Sequence, residues 1–306
     1  MEVTAQSPVA ANRDNAAGFM VYAPNHTPLR EKGKRSLPRR QCPFGNRHRI
    51  LALGVLIHNP AGHYRFLQGI APYSCGVVAD AGWEIVRVTP PEWLPWRDGF
   101  TWMDSVLAAA GLPRAALCAL ELRSPQPFTM AGFIEFNQGY CAVLEEWRLL
   151  ISGLNPIART NVAPALHPPA TPSLHAFSYV RPCPRPRRPT FVVAGAGELR
   201  EGTLVTQGIV RSGETSPDAL KEKAEYVLET MTQRLHGLGR DWNHVTAIDV
   251  YTIHPLDNAL RTLLLDRIGS AGRHGLCWHI SRPPVIDIEF EMDVRGVAED
   301  QFPAQD

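Results

Sequence analysis

No run of 18 apolar residues occurs in this chain, so no transmembrane helix is expected. No two of its six cysteines (Cys42, Cys75, Cys118, Cys141, Cys183 and Cys277) form a CxxC pair, which argues against a zinc ribbon or a thioredoxin-like motif. An excess of charge of one sign is also lacking. A net charge of +1 gives no electrostatic reason to expect a nucleic-acid or membrane partner. GxSxG is absent, so an α/β-hydrolase elbow is not supported. AGAGELREG (194–202) follows a strand-like run, but a GxGxxG loop would need glycine where Arg200 stands. His58/His63 and His274/His279 share a spacing that does not put both on one helical face, and no metal site is expected from them.

What is present is enough apolar content, 44% of 306 residues, to bury the cores of two ordinary domains. Most cysteines sit inside apolar stretches, as buried free thiols of a reducing cytoplasm do, so a cytoplasmic protein is expected. No apolar h-region follows Met1, so a signal peptide is not expected. Residues 1–48 are polar, with a basic cluster at LREKGKRSLPRRQ (29–41). They read as a disordered tail, or as a tail for an anionic partner.

The rest divides at RPCPRPRRPT (181–190), a proline- and arginine-rich linker. The first block spans 50–180, the second 191–297, and 298–306 is a short tail. In the second block, 215–239 reads as a helix capped by Thr215 or Ser216, with Pro217 in its first turn and Leu220, Ala224, Val227, Met231 and Leu235 on one face. Strands are expected at 191–199, 244–253, 276–280 and 285–294, and a helix at 258–268. In the first block, helices are expected at 99–111 and 131–150, and strands at 115–122, near 159–166 and at 173–180. The shared order makes the fold α+β: two copies of one unit, each a mixed sheet with two helices packed on one face.

Two arginines open comparable segments, Arg159 in NPIARTNVAP and Arg273 in SAGRHGLCWHISRPP. The next notable side chain lies 16 positions on in each case, His175 and Glu289. From arginine to the proline pair is one residue longer in the second block, so Arg273 need not point as Arg159 does. A guanidinium grips a carboxylate with a planar fork; the alternative is an ion pair with a nearby acid. Glu289 and Glu291 alternate with Ile288, Phe290 and Met292, which would place both on the polar face of one strand. Glu289 is the candidate general base, and Glu291 reads as a solvated residue. His175 is either a proton shuttle or a structural histidine.

APYSCGV (71–77), FNQGY (136–140) and ARTNV (158–162), in that order, resemble motifs of the Rid/YjgF family of reactive-intermediate deaminases. The second block, with SRPP and IEFEMD, resembles the same fold. The resemblance spans roughly 64–180 and 191–297, as a tandem form. It implies chorismate-mutase-like, RidA-like domains, packed as in a homo-oligomeric trimer with clefts between neighbours. It implies hydrolysis of an enamine or imine carboxylate to a keto acid and ammonia, with a small carboxylate-bearing substrate and no cofactor. Arg159 matches the arginine that clamps the carboxylate, Tyr73 and Asn137 match cleft residues, and Glu289 matches the glutamate that positions water. Arg273 is the second block's counterpart for substrate binding. His175 stands where the first block's glutamate should be, so a composite cleft joining Arg159 and Tyr73 to Glu289 would complete the set. Tandem proteins of this fold also include chorismatases, so a hydrolase or lyase acting on an enol-ether carboxylate is the second reading. A catalytically degenerate small-molecule-binding protein is the third.

Overall fold

The computed structural model describes residues 54–186, 188–200, 202 and 204–303. The basic cluster at 29–41 and the rest of the 1–48 tail lie outside them, as do the last three residues of the chain.

The described chain forms four layers: helices, sheet, sheet, helices. Sheet one holds β1 (Leu56–Asn59), β2 (Tyr64–Leu67), β3 (Gly76–Ala79), β9 (Phe191–Gly197), β13 (Glu291–Gly296), β10 (Ala247–Tyr251) and β11 (Cys277–His279), hydrogen-bonded in that order. Sheet two runs β12 (Ser281–Arg282), β7 (Ala158–Pro164), β6 (Leu117–Arg123), β8 (Ser173–Pro182), β4 (Trp83–Val88) and β14 (Glu299–Gln301), with β5 (Leu94–Pro95) also on β8. Both sheets are mixed. The parallel pairs β6–β7 and β10–β11 occupy matching places beside the antiparallel partners β8 and β13.

The helices form where capping and periodicity say they should. Thr129 accepts from Gly132 N at the start of α2 (Met130–Glu146). Ser216 accepts from Ala219 N at the start of α3 (Pro217–Gly237), with Pro217 in the first turn, where a missing N–H costs nothing. Asp257 caps α4 (Asn258–Ile268) through Leu260 N. Helix α1 spans Trp96–Ala109. Val227, Met231 and Leu235 of α3 pack with Ile248, Met292 and Val294 of sheet one. Phe100 and Met103 of α1 and Tyr140 and Leu144 of α2 pack with Leu120 and Phe177 of sheet two. A third core fills the space between the sheets, with Tyr64, Phe66 and Val77 meeting Ala119, Ala158 and Val180. Each such large apolar side chain contributes roughly 1.5–3 kcal/mol by leaving water.

The division at 181–190 is only partly evident. Strands β1 to β3 precede that stretch yet complete sheet one, and β12 and β14 follow it yet join sheet two. Thr190 ties the stretch down: its hydroxyl accepts from Ile85 N at 2.7 Å and its carbonyl from Ala79 N at 3.1 Å. Residues 285–294 do not form one strand. Val285 makes a single bridge to Phe128, the backbone turns through Asp287 at φ 73°, and strand β13 begins only at Glu291. Arg273 opens no strand either; it lies in a 3-10 turn, Gly269–His274. Among the described residues, no helix is long and apolar enough to cross a membrane.

Candidate active site

A cavity of about 180 Å³ opens where β7 meets β9 and β13. Arg159, Asn161, Tyr73, Phe133, Glu291 and Arg234 are among its lining residues. They come from both sides of the proline-rich stretch.

Arg159 enters from the start of β7 and is 3% exposed. Its Nη2 donates to Asn137 Oδ1 of α2 at 2.7 Å, and its Nη1 has no partner. Aromatic rings enclose it: the Tyr140 ring centre lies 4.6 Å from the guanidinium carbon and that of Tyr73 5.5 Å. Burial pulls its pKa below the ordinary arginine value, against the pull of Tyr140 and Tyr73. A buried cation held by one neutral amide and several ring faces is an unfinished ion pair. Asn161, two residues along the strand, also keeps an unpaired amide nitrogen; its Oδ1 accepts from Ser124.

The segment 68–75 brings Tyr73 into place. Ser74 N donates to Ile157 O at 2.8 Å and Ser74 Oγ to Pro156 O at 3.1 Å, which fixes the segment against the approach to β7. Gly69 is required there, because a Cβ would lie 2.3 Å from the Tyr73 carbonyl oxygen. Burial raises the Tyr73 phenol pKa, while Arg234 and Arg159 oppose the rise.

Glu291 supplies the carboxyl group. It begins β13 and is 3% exposed. Burial holds its pKa well above the ordinary carboxylate range, and Asp293 and Glu198 push it further; Arg234 pulls the other way. The sequence marks Glu291 as solvated because it treats the polar face of the strand as open to water. Phe290, Met292 and Val294 do face the helices, but sheet two covers the opposite face, where Thr160 Oγ1 of β7 donates to Asp293 Oδ2 at 2.9 Å, so Glu291 is buried and lines the cavity. Gly195 makes room for it: a Cβ at 195 would lie 2.4 Å from Glu291 Oε1. A buried pair sets the position of the approach. Lys223 Nζ donates to Glu198 Oε1 at 2.9 Å, with both side chains fully buried, and Glu198 accepts from Glu289 N at 2.7 Å and Phe290 N at 3.0 Å.

The other expected residues lie elsewhere. Glu289 bonds His254 Nε2 at 2.8 Å and lines a different depression, with Gln126 and Arg282. His175 sits 3.9 Å from Glu121 and beside Trp93, outside the lining of the Arg159 cavity. Burial, then the Arg123 cation, pulls its pKa down to about 3, so it is neutral near pH 7. Arg273 is exposed and donates to His274 Nε2 at 3.0 Å. The structure therefore brings Arg159, Tyr73 and Asn137 together, and it places Glu291, not Glu289, in their cavity. Arg234 and the Lys223–Glu198 pair were missed by the sequence reading. A lysine on the apolar face of α3, three residues after Leu220 and one before Ala224, was the available signal for that pair.

Residues 56–301 match the family described as 2-aminomuconate deaminase CnbZ. The chain belongs to the 2-aminomuconate deaminase family. It is 41% identical over 244 residues to a 2-amino-5-chloromuconate deaminase of Comamonas testosteroni, covering 79% of this chain and 96% of that protein. Among solved structures, this member of the muconate deaminase family is similar to a chorismatase (TM-score 0.44, 14% identity, 73% of this chain and 77% of that one). It is also similar to the YjgF gene product of E. coli (TM-score 0.24, 11% identity, 37% of this chain and 84% of that one).

Proposed function

We propose that this protein hydrolyses an enamine dicarboxylate of the 2-aminomuconate type to the 2-oxo acid and ammonia. The observation that carries this reading is the Arg159 guanidinium, buried and with one unpaired nitrogen, lining the same cavity as a buried carboxyl group with a raised pKa. The carboxylate next to the amino-bearing carbon completes the Arg159 ion pair, and Asn137 holds the guanidinium in plane for it. Tyr73 and Phe133 cover the diene.

Glu291 is the proton donor. Its proton passes to a carbon of the enamine chain, and the nitrogen lone pair becomes the second bond of an iminium. The resulting Glu291 carboxylate then takes a proton from water as the oxygen bonds to the iminium carbon. Glu291 then gives that proton to the carbinolamine nitrogen and accepts the hydroxyl proton as the carbonyl forms, so the carbon–nitrogen bond breaks, ammonia leaves and Glu291 ends protonated. One water is consumed and one ammonia leaves, with no electron transfer.

The test is ammonia release from 2-aminomuconate by the wild type, Arg159→Lys and Glu291→Gln. Rapid release by the wild type, with KM raised in Arg159→Lys and kcat lowered in Glu291→Gln, is expected. Equal turnover in all three proteins would overturn the assignment.

A further inference from the structure

We propose that Asp249, Cys277 and His279 form a binding site for a divalent transition-metal ion of the zinc class, at the open edge of sheet one. None of the three lines the Arg159 cavity, so the site is independent of the deamination proposed above. It follows from strand register. Ile248, Val250, Met292 and Val294 turn towards α3 and α4, so Asp249 and Tyr251 turn to the opposite face of the sheet. The parallel pairing sets Cys277 opposite Asp249 and His279 opposite Tyr251, which puts all four side chains on that face. One oxygen of Asp249, one ring nitrogen of His279 and the Cys277 sulfur all lie within 4.8 Å of one another.

A sulfur, an imidazole nitrogen and a carboxylate oxygen make a three-ligand set suited to a borderline-soft ion, with a fourth position open to water. Calcium and magnesium, which take oxygen donors, suit it poorly. Two neighbours hold the ligands in place, as outer partners do in metal sites. Arg295 binds Asp249 Oδ2, which leaves Oδ1 for the side where His279 Nε2 lies, 2.8 Å away. The Tyr251 ring stacks on the His279 ring at 4.9 Å and 21°, fixing its plane. Cys277 is exposed, so an ion reaches the site without opening the core. Binding takes the thiol proton to solvent. The ion takes the Nε2 lone pair of His279, with the ring proton on Nδ1, and replaces the hydrogen bond between His279 and Asp249. The ion would join the three-residue edge strand β11 to β10.

The test is titration of the purified full chain with Co²⁺ and Zn²⁺, comparing the wild type, Cys277→Ser and His279→Ala. One equivalent of Co²⁺ is expected to give a thiolate charge-transfer band in the wild type that disappears in Cys277→Ser. Zn²⁺ affinity is expected to fall more than about tenfold in either variant, as even loss of an outer-shell partner does. A band that survives in Cys277→Ser comes from another cysteine and overturns the proposal. So does Zn²⁺ affinity that neither substitution changes, or no binding in the wild type. Metal-free thermal unfolding reports whether each variant folds. If His279→Ala does not, Cys277→Ser decides alone, because its side chain is exposed.

Discussion

Arg87 and Arg159 are both buried arginines on inner strands of sheet two, each next to an edge strand, yet their surroundings differ in one respect. Arg87 meets Glu121 through two hydrogen bonds, of 2.6 and 2.8 Å, and Glu121 also lies 3.6 Å from Arg123. Nearby, Arg295 pairs with Asp249 and lies 3.5 Å from Asp293. Carboxylates match cations throughout that cluster, and the cavity between it and Arg159, lined by Glu121, Asp293 and Arg295, holds only about 10 Å³. Arg159 has an amide, four aromatic rings and a cavity of about 180 Å³. A buried charge with its partner in place is a structural element. A buried charge whose partner is missing, beside a space of suitable size, is half of a binding site.

Breaking the paired cluster should have the largest effect on folding. Arg87→Met removes both hydrogen bonds to the buried Glu121 carboxylate and leaves it only the longer Arg123 contact, and a loss of about 3 kcal/mol is expected in denaturant unfolding. Lys223→Met strands Glu198 in the same way. It should cost a similar amount and also lower turnover, because Glu198 positions the two residues before Glu291.

Glu291 sharpens the contrast through pH. Its pKa is raised in the folded chain, so the unfolded chain binds fewer protons above the ordinary value of 4.5. Its contribution to stability is therefore complete below 4.5 and declines as pH rises towards the folded value. Glu291→Gln should remove that decline, so that its unfolding free energy changes less with rising pH than that of the wild type. The wild-type rate should also fall as the donor proton is lost, while the residual rate of Glu291→Gln should lack that fall.

His175 has the opposite sign. Its folded pKa of about 3 lies below the ordinary 6.5, so the unfolded chain takes up the proton first, and stability is lost as pH falls through that interval. His175→Gln should unfold at lower pH than the wild type and keep turnover within about twofold. Arg273→Ala should do least: an exposed substitution of this kind changes stability within about 0.5 kcal/mol, and activity should not change.

The helices were the most legible part of the fold. Ser216-Pro217 and the apolar period of α3 place that helix within two residues, and α4 coincides with 258–268. Strands β1 to β4 were not located, because short runs such as YRFL and GVVA carry no alternation that marks them. Their pairing with β9 depends on contacts distant in sequence. For the site, motif resemblance reached Arg159, Tyr73 and Asn137. It took Glu289 over Glu291, two residues apart on the same strand face, whereas Glu291 is the one that lines the Arg159 cavity. The covering of that face by β7 and the Glu198 anchor place Glu291 in the cavity, and neither shows in a period-2 pattern.

The most direct measurement is thermal unfolding and deamination kinetics side by side for Arg159→Met. An unpaired buried cation contributes to binding and not to folding. The midpoint should hold or rise, while kcat/KM on 2-aminomuconate should fall by at least about a hundredfold, the effect of losing two hydrogen bonds to a charged group. A variant that unfolds well below the wild type, as expected for Arg87→Met, yet retains its turnover would show that Arg159 is a structural residue and that the cavity it lines is not the active site.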